Sequence, residues 1–303
     1  MQSTAYTPAP LYPPFFGPAK DLHFFRAKSL SEALDLLAQH GERASVLAGG
    51  TSLMLSLRTQ VEDPEAVVYI GELQELNFIR SEPDGLHIGP LTKQNDLIKS
   101  AVVRERAPIL VQAASEIAGP AVRNQATIGG NLVRGYDLAP PLLALDAQVV
   151  IASPEGQRTV PLKDFYLGPF WNVLKANEIV VDIHLPASSA SQGFASVRRR
   201  KANDFALAEA AVALAVDASG VCREARIGIG FGFGVTFPTR AGGAEAELVG
   251  KAVTDEVVER AGRIAADESN PPDDGHASEW YRRKAIGVCV ERAINTALGR
   301  PIR

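Results

Sequence analysis

The sequence predicts an α+β protein of two domains, on three observations. Its 303 residues are about twice the length of an average domain. Stretches with helical apolar spacing are interleaved with short apolar runs bounded by glycine turns, the mark of mixed structure. After Pro186 the small, polar, unpatterned stretch 187–192 gives way to a long hairpin and several helices, which places a boundary there and domains at 1–187 and 188–303.

The elements follow in order. Ser29 and Glu32 form a capping box before Ala33, Leu34, Leu37 and Ala38, and Gly41 stands where a left-handed cap closes a helix. The run SVLA (45–48) reads as a buried strand entering Gly49-Gly50-Thr51, and a polar break at 62–65 leads to the strand AVVYI. A strand near Leu86–Ile88 precedes helices at about 92–101 and 108–118, the second opened by Pro108 and stopped by Gly119-Pro120. LLALDA predicts a short helix, QVVIAS and RTVPL a hairpin around PEGQ, and EIVVDIHLP (178–186) a closing strand. Beyond the boundary, AEAAVALAVD and REARIGIGF flank the turn ASG as an antiparallel hairpin, although the alanine-rich first arm also suits a helix. Two or three helices end the chain, the last from Ser278 to Ala297 with Ile286, Val290, Ala293, Ile294 and Ala297 on one face.

Composition narrows the function. Hydrophobic residues make up 46% and charged residues 22%, enough apolar mass for a core without staples. A net charge of −4 gives no bias toward nucleic acid phosphates. Two cysteines, Cys222 and Cys289, are too few for a four-thiolate cluster or a disulfide framework and read as reduced structural thiols. No signal-peptide pattern and no apolar run of roughly 18 residues is present, so a cytoplasmic protein without a membrane span is expected. Five prolines within residues 1–20 exclude a helix there and suit either an extended arm or a flexible tail.

The chemistry concentrates in two turns, Ala48-Gly49-Gly50-Thr51 and Ala126-Thr127-Ile128-Gly129-Gly130-Asn131. Paired glycines let a ligand approach the main chain and let successive N–H groups converge on an anion, while threonine hydroxyls and the Asn131 amide add donors. Without a P-loop lysine, a diphosphate held by backbone suits both turns better than a nucleoside triphosphate. On this reading Gly50→Val or Gly130→Val strongly lowers ligand occupancy, since a β-branched side chain restricts the backbone and occupies space the diphosphate needs. The run Gly228-Ile-Gly230-Phe-Gly232-Phe-Gly234 lacks the third glycine of a dinucleotide fingerprint and fits a strand with one face closely approached by backbone. Arg198-Arg199-Arg200-Lys201, placed on a strand, would split between two faces: a solvated surface, or one or two guanidiniums against a flavin, a phosphate or a partner. The histidines, His23, His40, His87, His184 and His276, show no ligand-like spacing, and no metal site is expected.

At these turns the chain resembles the FAD-binding, medium subunits of the molybdenum hydroxylases, the family of xanthine dehydrogenase, carbon monoxide dehydrogenase and the aldehyde oxidoreductases. LAGGTSLM (47–54) is similar to the first FAD loop of that family and ATIGGNL (126–132) to the second. EIVVDIHLP, FPTRAGGAEAELVG and ASEWYRRKAIGVCVERAI extend the resemblance from about Phe24 to the end. It implies a two-subdomain FAD domain of the vanillyl-alcohol-oxidase (PCMH) type, followed by a smaller α+β domain. Val46, Leu47, Ala48, Gly49, Gly50, Thr51, Ser52 and Leu53, with Thr127, Ile128, Gly129, Gly130 and Asn131, would hold the diphosphate and ribityl region of non-covalent FAD. Asp137 would meet the adenosine part, or serve only as a helix N-cap, and Ile117 and Val180 would lie beside the flavin ring or simply in the core. Where some members carry a lysine near the flavin this chain has Ser196, with Arg198 or Arg199 as substitutes, and the cysteine-rich insertion of some relatives is missing.

The resemblance further implies an oxidoreductase subunit with no substrate site of its own. Small 2Fe-2S and large molybdopterin partners would supply electrons, in a dimer of heterotrimers, and NAD, oxygen or a quinone-like acceptor would take them. Two other readings are a stand-alone reductase with the same FAD fold, like the enzyme that reduces UDP-N-acetylenolpyruvoylglucosamine, and a scaffold subunit without flavin.

Overall fold

The computed structural model describes residues 22–200, 204–232 and 236–302, so the proline-rich arm lies outside it. β1 (His23–Arg26) leads to α1 (Leu30–His40), which buries Ala33, Leu34 and Leu37. The Ser29 hydroxyl accepts from the Glu32 N–H at 3.2 Å, whereas the Glu32 carboxylate accepts from Lys28 at 2.7 Å, one residue before the cap. Gly41 closes the helix at φ +56°. β2 (Ala44–Leu47), α2 (Leu53–Arg58) and β3 (Ala66–Tyr69) complete a parallel sheet of order β1-β3-β2. Sequence reading missed α2 because its apolar residues form no buried stripe: Leu53 is buried, but Met54 and Leu55 are exposed.

The second unit contains β4 (Ile79–Glu82), β5 (Gly85–Ile88), α3 (Gln94–Lys99), α4 (Ala101–Arg106), α5 (Pro108–Glu116), α6 (Pro120–Arg123), α7 (Ile128–Arg134) and α8 (Ala139–Ala144). It continues through β6 (Gln148–Ser153), β7 (Gly156–Pro161), the hairpin β8 (Tyr166–Gly168) with β9 (Trp171–Asn172), and β10 (Ile179–Pro186). The antiparallel sheet runs β4-β5-β10-β6-β7. The single helix expected near 92–101 is two, because Ser100 is extended and its hydroxyl caps α4 by accepting from the Val103 N–H. Pro120 opens α6 instead of stopping α5, which has already ended at Glu116.

The last unit contains β11 (Ser191–Val197), β12 (Ala208–Val216), β13 (Cys222–Gly230), β14 (Thr239–Arg240), α9 (Gly242–Leu248), α10 (Asp255–Glu268) and α11 (Glu279–Ala297), with sheet order β11-β12-β13-β14. Ser191 and Gln192 belong to β11, which shortens the unpatterned stretch. The alanine-rich arm is strand β12, covered on both faces: Ala211 packs with the core of the preceding unit, while Ala210, Val212 and Leu214 pack with α11. The glycines of β13 are the approached face. A Cβ on Gly228 would lie 2.1 Å from the Pro140 carbonyl oxygen of α8, and one on Gly230 2.7 Å from Pro140 Cγ.

Candidate functional site

The two glycine turns meet. β2 delivers 48–52 to one side of a cleft of about 440 Å³, and the turn into α7 delivers 126–131 to the other. A Cβ on Gly49 would fall 2.1 Å from the Gln125 carbonyl oxygen, and one on Gly129 2.6 Å from Pro90 Cβ. The first glycine of each pair is therefore required by protein packing on protein. The second is less confined, with only side-chain atoms close by: a Cβ on Gly50 would lie 3.3 Å from Leu47 Cδ1 and one on Gly130 3.1 Å from Thr127 Oγ1, and Gly50 sits at φ +74°, a conformation costly for other residues.

The turns differ in what their backbone offers. In the second, each N–H from Ile128 to Asn131 is taken: Ile128 by Thr92 O (3.0 Å), Gly129 by Pro90 O (2.9 Å), Gly130 by Thr127 Oγ1 (3.1 Å) and Asn131 by Thr127 O (3.1 Å). In the first, no acceptor among the described residues meets the N–H of Gly49, Gly50, Thr51, Ser52 or Leu53. The expected pair of backbone nests is thus one nest, at 49–53, buttressed by a loop that satisfies itself. Asn131 orients the junction, its Oδ1 accepting from the Leu138 N–H at 2.9 Å.

Apolar floor and polar rim complete the cleft. Leu37, Ile70, Leu91, Ile179 and Val180 line its depth. At the rim Ser52 Oγ and the Tyr136 hydroxyl lie 3.2 Å apart, Arg134 is paired with Glu62, and the exposed Trp171 opens β9. Glu178, on the floor, is gripped by Arg158 through two hydrogen bonds of 2.8 Å, which hold its carboxyl below the ordinary range. This is an apolar slot with one anion-binding wall, of a size and character suited to a nucleotide-scale ligand.

Of the residues singled out in the sequence, Val46, Ala48, Gly49, Gly50, Thr51, Ser52, Leu53, Thr127, Gly129, Gly130, Asn131 and Val180 line this cleft. Leu47 and Ile117 do not, and Ile128 is wholly buried in the core behind it. Asp137 is not brought to the cleft, and Leu138, not Asp137, occupies the N-cap of α8. Asp137 instead receives Arg198 at 3.0 Å, a guanidinium that also meets Glu116 at 3.0 Å and lies 3.7 Å from Glu209. One cation cannot satisfy three carboxylates. Burial, with Asp137 nearby, pushes the Glu209 carboxyl well up, so its protonated form is favoured.

The basic run is therefore corrected: residues 198–200 follow β11 without being strand, and Arg198 is a buried tie between the two domains. Arg199 clasps Asp204 and Ser196 donates to Glu116, so neither turns to the cleft. The histidines are not all solitary either. His87 and His184 are cross-strand partners with stacked rings 4.3 Å apart, a pairing of residues 97 positions apart that spacing could not reveal. Also missed was Arg282, 1% exposed, which binds Asp274 through two hydrogen bonds and the Leu207 carbonyl.

Comparison with known proteins fits this architecture. Residues 20–188 match the family model of the FAD binding domain in molybdopterin dehydrogenase, and residues 193–297 that of the CO dehydrogenase flavoprotein C-terminal domain. The chain is 36% identical over 277 residues to the carbon monoxide dehydrogenase medium chain of Hydrogenophaga pseudoflava, covering 90% of this chain and 96% of that one. It is 32% identical to the xanthine dehydrogenase FAD-binding subunit of Escherichia coli O157:H7, covering 91% and 95%. The solved carbon monoxide dehydrogenase from Hydrogenophaga pseudoflava superposes with a TM-score of 0.87 at 36% identity, over 93% of this chain and 98% of that one. Among the described residues no helix is long and apolar enough to cross a membrane.

Proposed function

The chain belongs to the family of FAD-binding medium subunits of the molybdenum hydroxylases, and from that premise we propose that it is the middle station of an electron chain. Electrons would arrive from 2Fe-2S clusters on a small partner, after substrate oxidation on a large molybdopterin partner, and leave to NAD, oxygen or a quinone-like acceptor. The assembly would be a dimer of heterotrimers. The observation that carries the reading is the set of unmet backbone donors at 49–53 facing an apolar slot, which suits a diphosphate joined to a flat ring system.

On this reading the N–H groups of Gly49 to Leu53 hold the diphosphate. Thr51, Ser52 and Asn131 supply side-chain donors, and Val180 with Leu91 covers apolar ring surface. FAD, when bound, supplies the ability to take electrons singly and give them up in pairs; the protein contributes position and exclusion of water. Only two cysteines occur in the sequence, both buried and on different elements, so four thiolates cannot meet in this chain. The C-terminal match, 193–297, favours a subunit of a larger enzyme over a stand-alone reductase, and the intact loops weigh against a flavin-free scaffold.

The test uses the purified single chain supplied with FAD. We expect one flavin per chain, released by denaturation because no histidine or cysteine stands in either loop, and no dye reduction with purines, aldehydes or N-heterocycles as donors. Flavin that stays on the denatured polypeptide would refute the non-covalent site. Substrate-dependent dye reduction by chain verified free of metals and partners would place the chemistry here and end the relay reading.

A further inference from the structure

The cleft has a wall of donors, but its charge sits on the rim. The N–H groups of 49–53 carry no net charge, whereas a diphosphate brings negative charge on both phosphates into a slot with an apolar floor. An anion desolvated in this way is held best by a charged donor. Among the described residues that line the cleft, the charged ones are Glu62, Arg134, Lys175 and Glu178. Glu178 is gripped by Arg158 on the floor, and Lys175, whose N–H donates to Glu178, is exposed on the connection to β10. Arg134 belongs to α7, the helix that the second glycine turn opens.

The helix aims this cation back at the donor wall. Arg134 stands one turn after Gly130 on the same helix face, and helical side chains lean toward the helix N-terminus. Its stem therefore leans over Gly130, which has no side chain to block it; a Cβ there would meet only Thr127 Oγ1, at 3.1 Å. Just beyond Arg134, the Tyr136 hydroxyl lies 3.2 Å from Ser52 Oγ, so the exit of α7 touches the nest itself.

In this structure the guanidinium is paired with Glu62, which follows α2 on the nest side of the cleft. The two side chains are 24% and 27% exposed, so water competes for both and the pair is readily exchanged. Glu62 also lines an adjoining hollow with Glu42, Asp63 and Glu65. That acidic surround offers Arg134 a resting partner at the rim, and it leaves Glu62 a solvated position when the guanidinium turns inward.

We propose that Arg134 is the counter-cation of the FAD diphosphate and that Glu62 is its competitor: on binding, the guanidinium exchanges the Glu62 carboxylate for phosphate oxygens. The inference rests on the reading of the cleft as an FAD site. Its distinctive consequence is a sign. In an ion pair that only holds two walls together, loss of either partner acts in the same direction. In an exchange, Glu62 competes with the ligand for one cation, so the two losses act in opposite directions.

The test is equilibrium titration of the full chain, stripped of flavin, with FAD, alongside melts that show each variant folded. Arg134→Met should weaken FAD binding about tenfold, the strength of one charge-assisted hydrogen bond, and Arg134→Lys should keep most of the affinity. Glu62→Gln, a change of charge at constant shape, should tighten binding about two- to fivefold. Adding Arg134→Met to Glu62→Gln should reverse that gain, because the guanidinium acts on the ligand and not through Glu62. Added salt should weaken FAD binding more steeply in the parent than in Arg134→Met. Weaker binding in Glu62→Gln as well, or parent affinity in Arg134→Met, overturns the proposal while leaving the FAD site in place. A parent chain that takes up no FAD overturns the FAD reading of the cleft, and the exchange with it.

Discussion

Arg198→Ala is expected to lower the thermal midpoint of the flavin-loaded chain by on the order of 10 °C. The guanidinium is 6% exposed and its partners Asp137 and Glu209 are 3% and 1% exposed, so its removal strands buried carboxylate charge. Breaking a buried pair from one side costs about 3–5 kcal/mol, and a large domain loses roughly 2–4 °C per kcal/mol. Because Arg198 also ties β11 to α5 and the turn before α8, the loss should broaden the transition as the two domains part. Adding Asp137→Ala should recover part of the midpoint by removing one stranded charge. A single-variant midpoint within 2 °C of the parent, on the scale just given, would mean that Arg198 is not the tie between domains.

Glu209→Gln gives the complementary result. The Glu209 carboxyl is raised in the folded protein, so its protonated form contributes stability that is full below the ordinary carboxylate range and is lost as pH rises through the raised value. The amide keeps the neutral shape at every pH. The variant should therefore gain midpoint relative to the parent as pH rises toward neutrality and lose that advantage in acid. Melts across the acid-to-neutral range read the sign.

Gly50→Val should lower FAD affinity by about 10–100-fold, the equivalent of roughly 1–3 kcal/mol of backbone strain at a left-handed position. The strain re-aims the donors of 49–53, so the FAD-free chain also loses stability. Gly130→Val reaches a similar affinity by another route. Gly130 has no positive φ, and its Cβ would press only on Thr127 Oγ1, the α7 cap, at 3.1 Å, so the added side chain crowds the cleft at a smaller cost to the fold. Flavin titration with melts of the FAD-free variants separates the two. Unchanged affinity in both would remove the turns from the site, and equal stability loss would erase the distinction between them.

The sequence by itself determined where the cleft is made. Local chemistry is readable because it acts over a few residues: paired glycines after an apolar strand, Ser29 capping the first helix, Ser278 opening the last helix. The same logic found β10, the hairpin at 208–230 and the closely approached glycines of β13, although not that Pro140 is what approaches them. Tertiary structure decided everything that depends on which distant residue occupies a donor. Two glycine turns of like sequence differ because Pro90 and Thr92 consume the N–H groups of one and nothing among the described residues consumes those of the other. Arg198 lies in a run of four basic residues, yet the docking of the C-terminal sheet on α8 desolvates it among three carboxylates. His87 and His184 become neighbours only through the pairing of β5 with β10. Sequence spacing carries turns and caps, whose energies are local; partner choice for buried charges and lone pairs is set by long-range packing, which no single segment encodes.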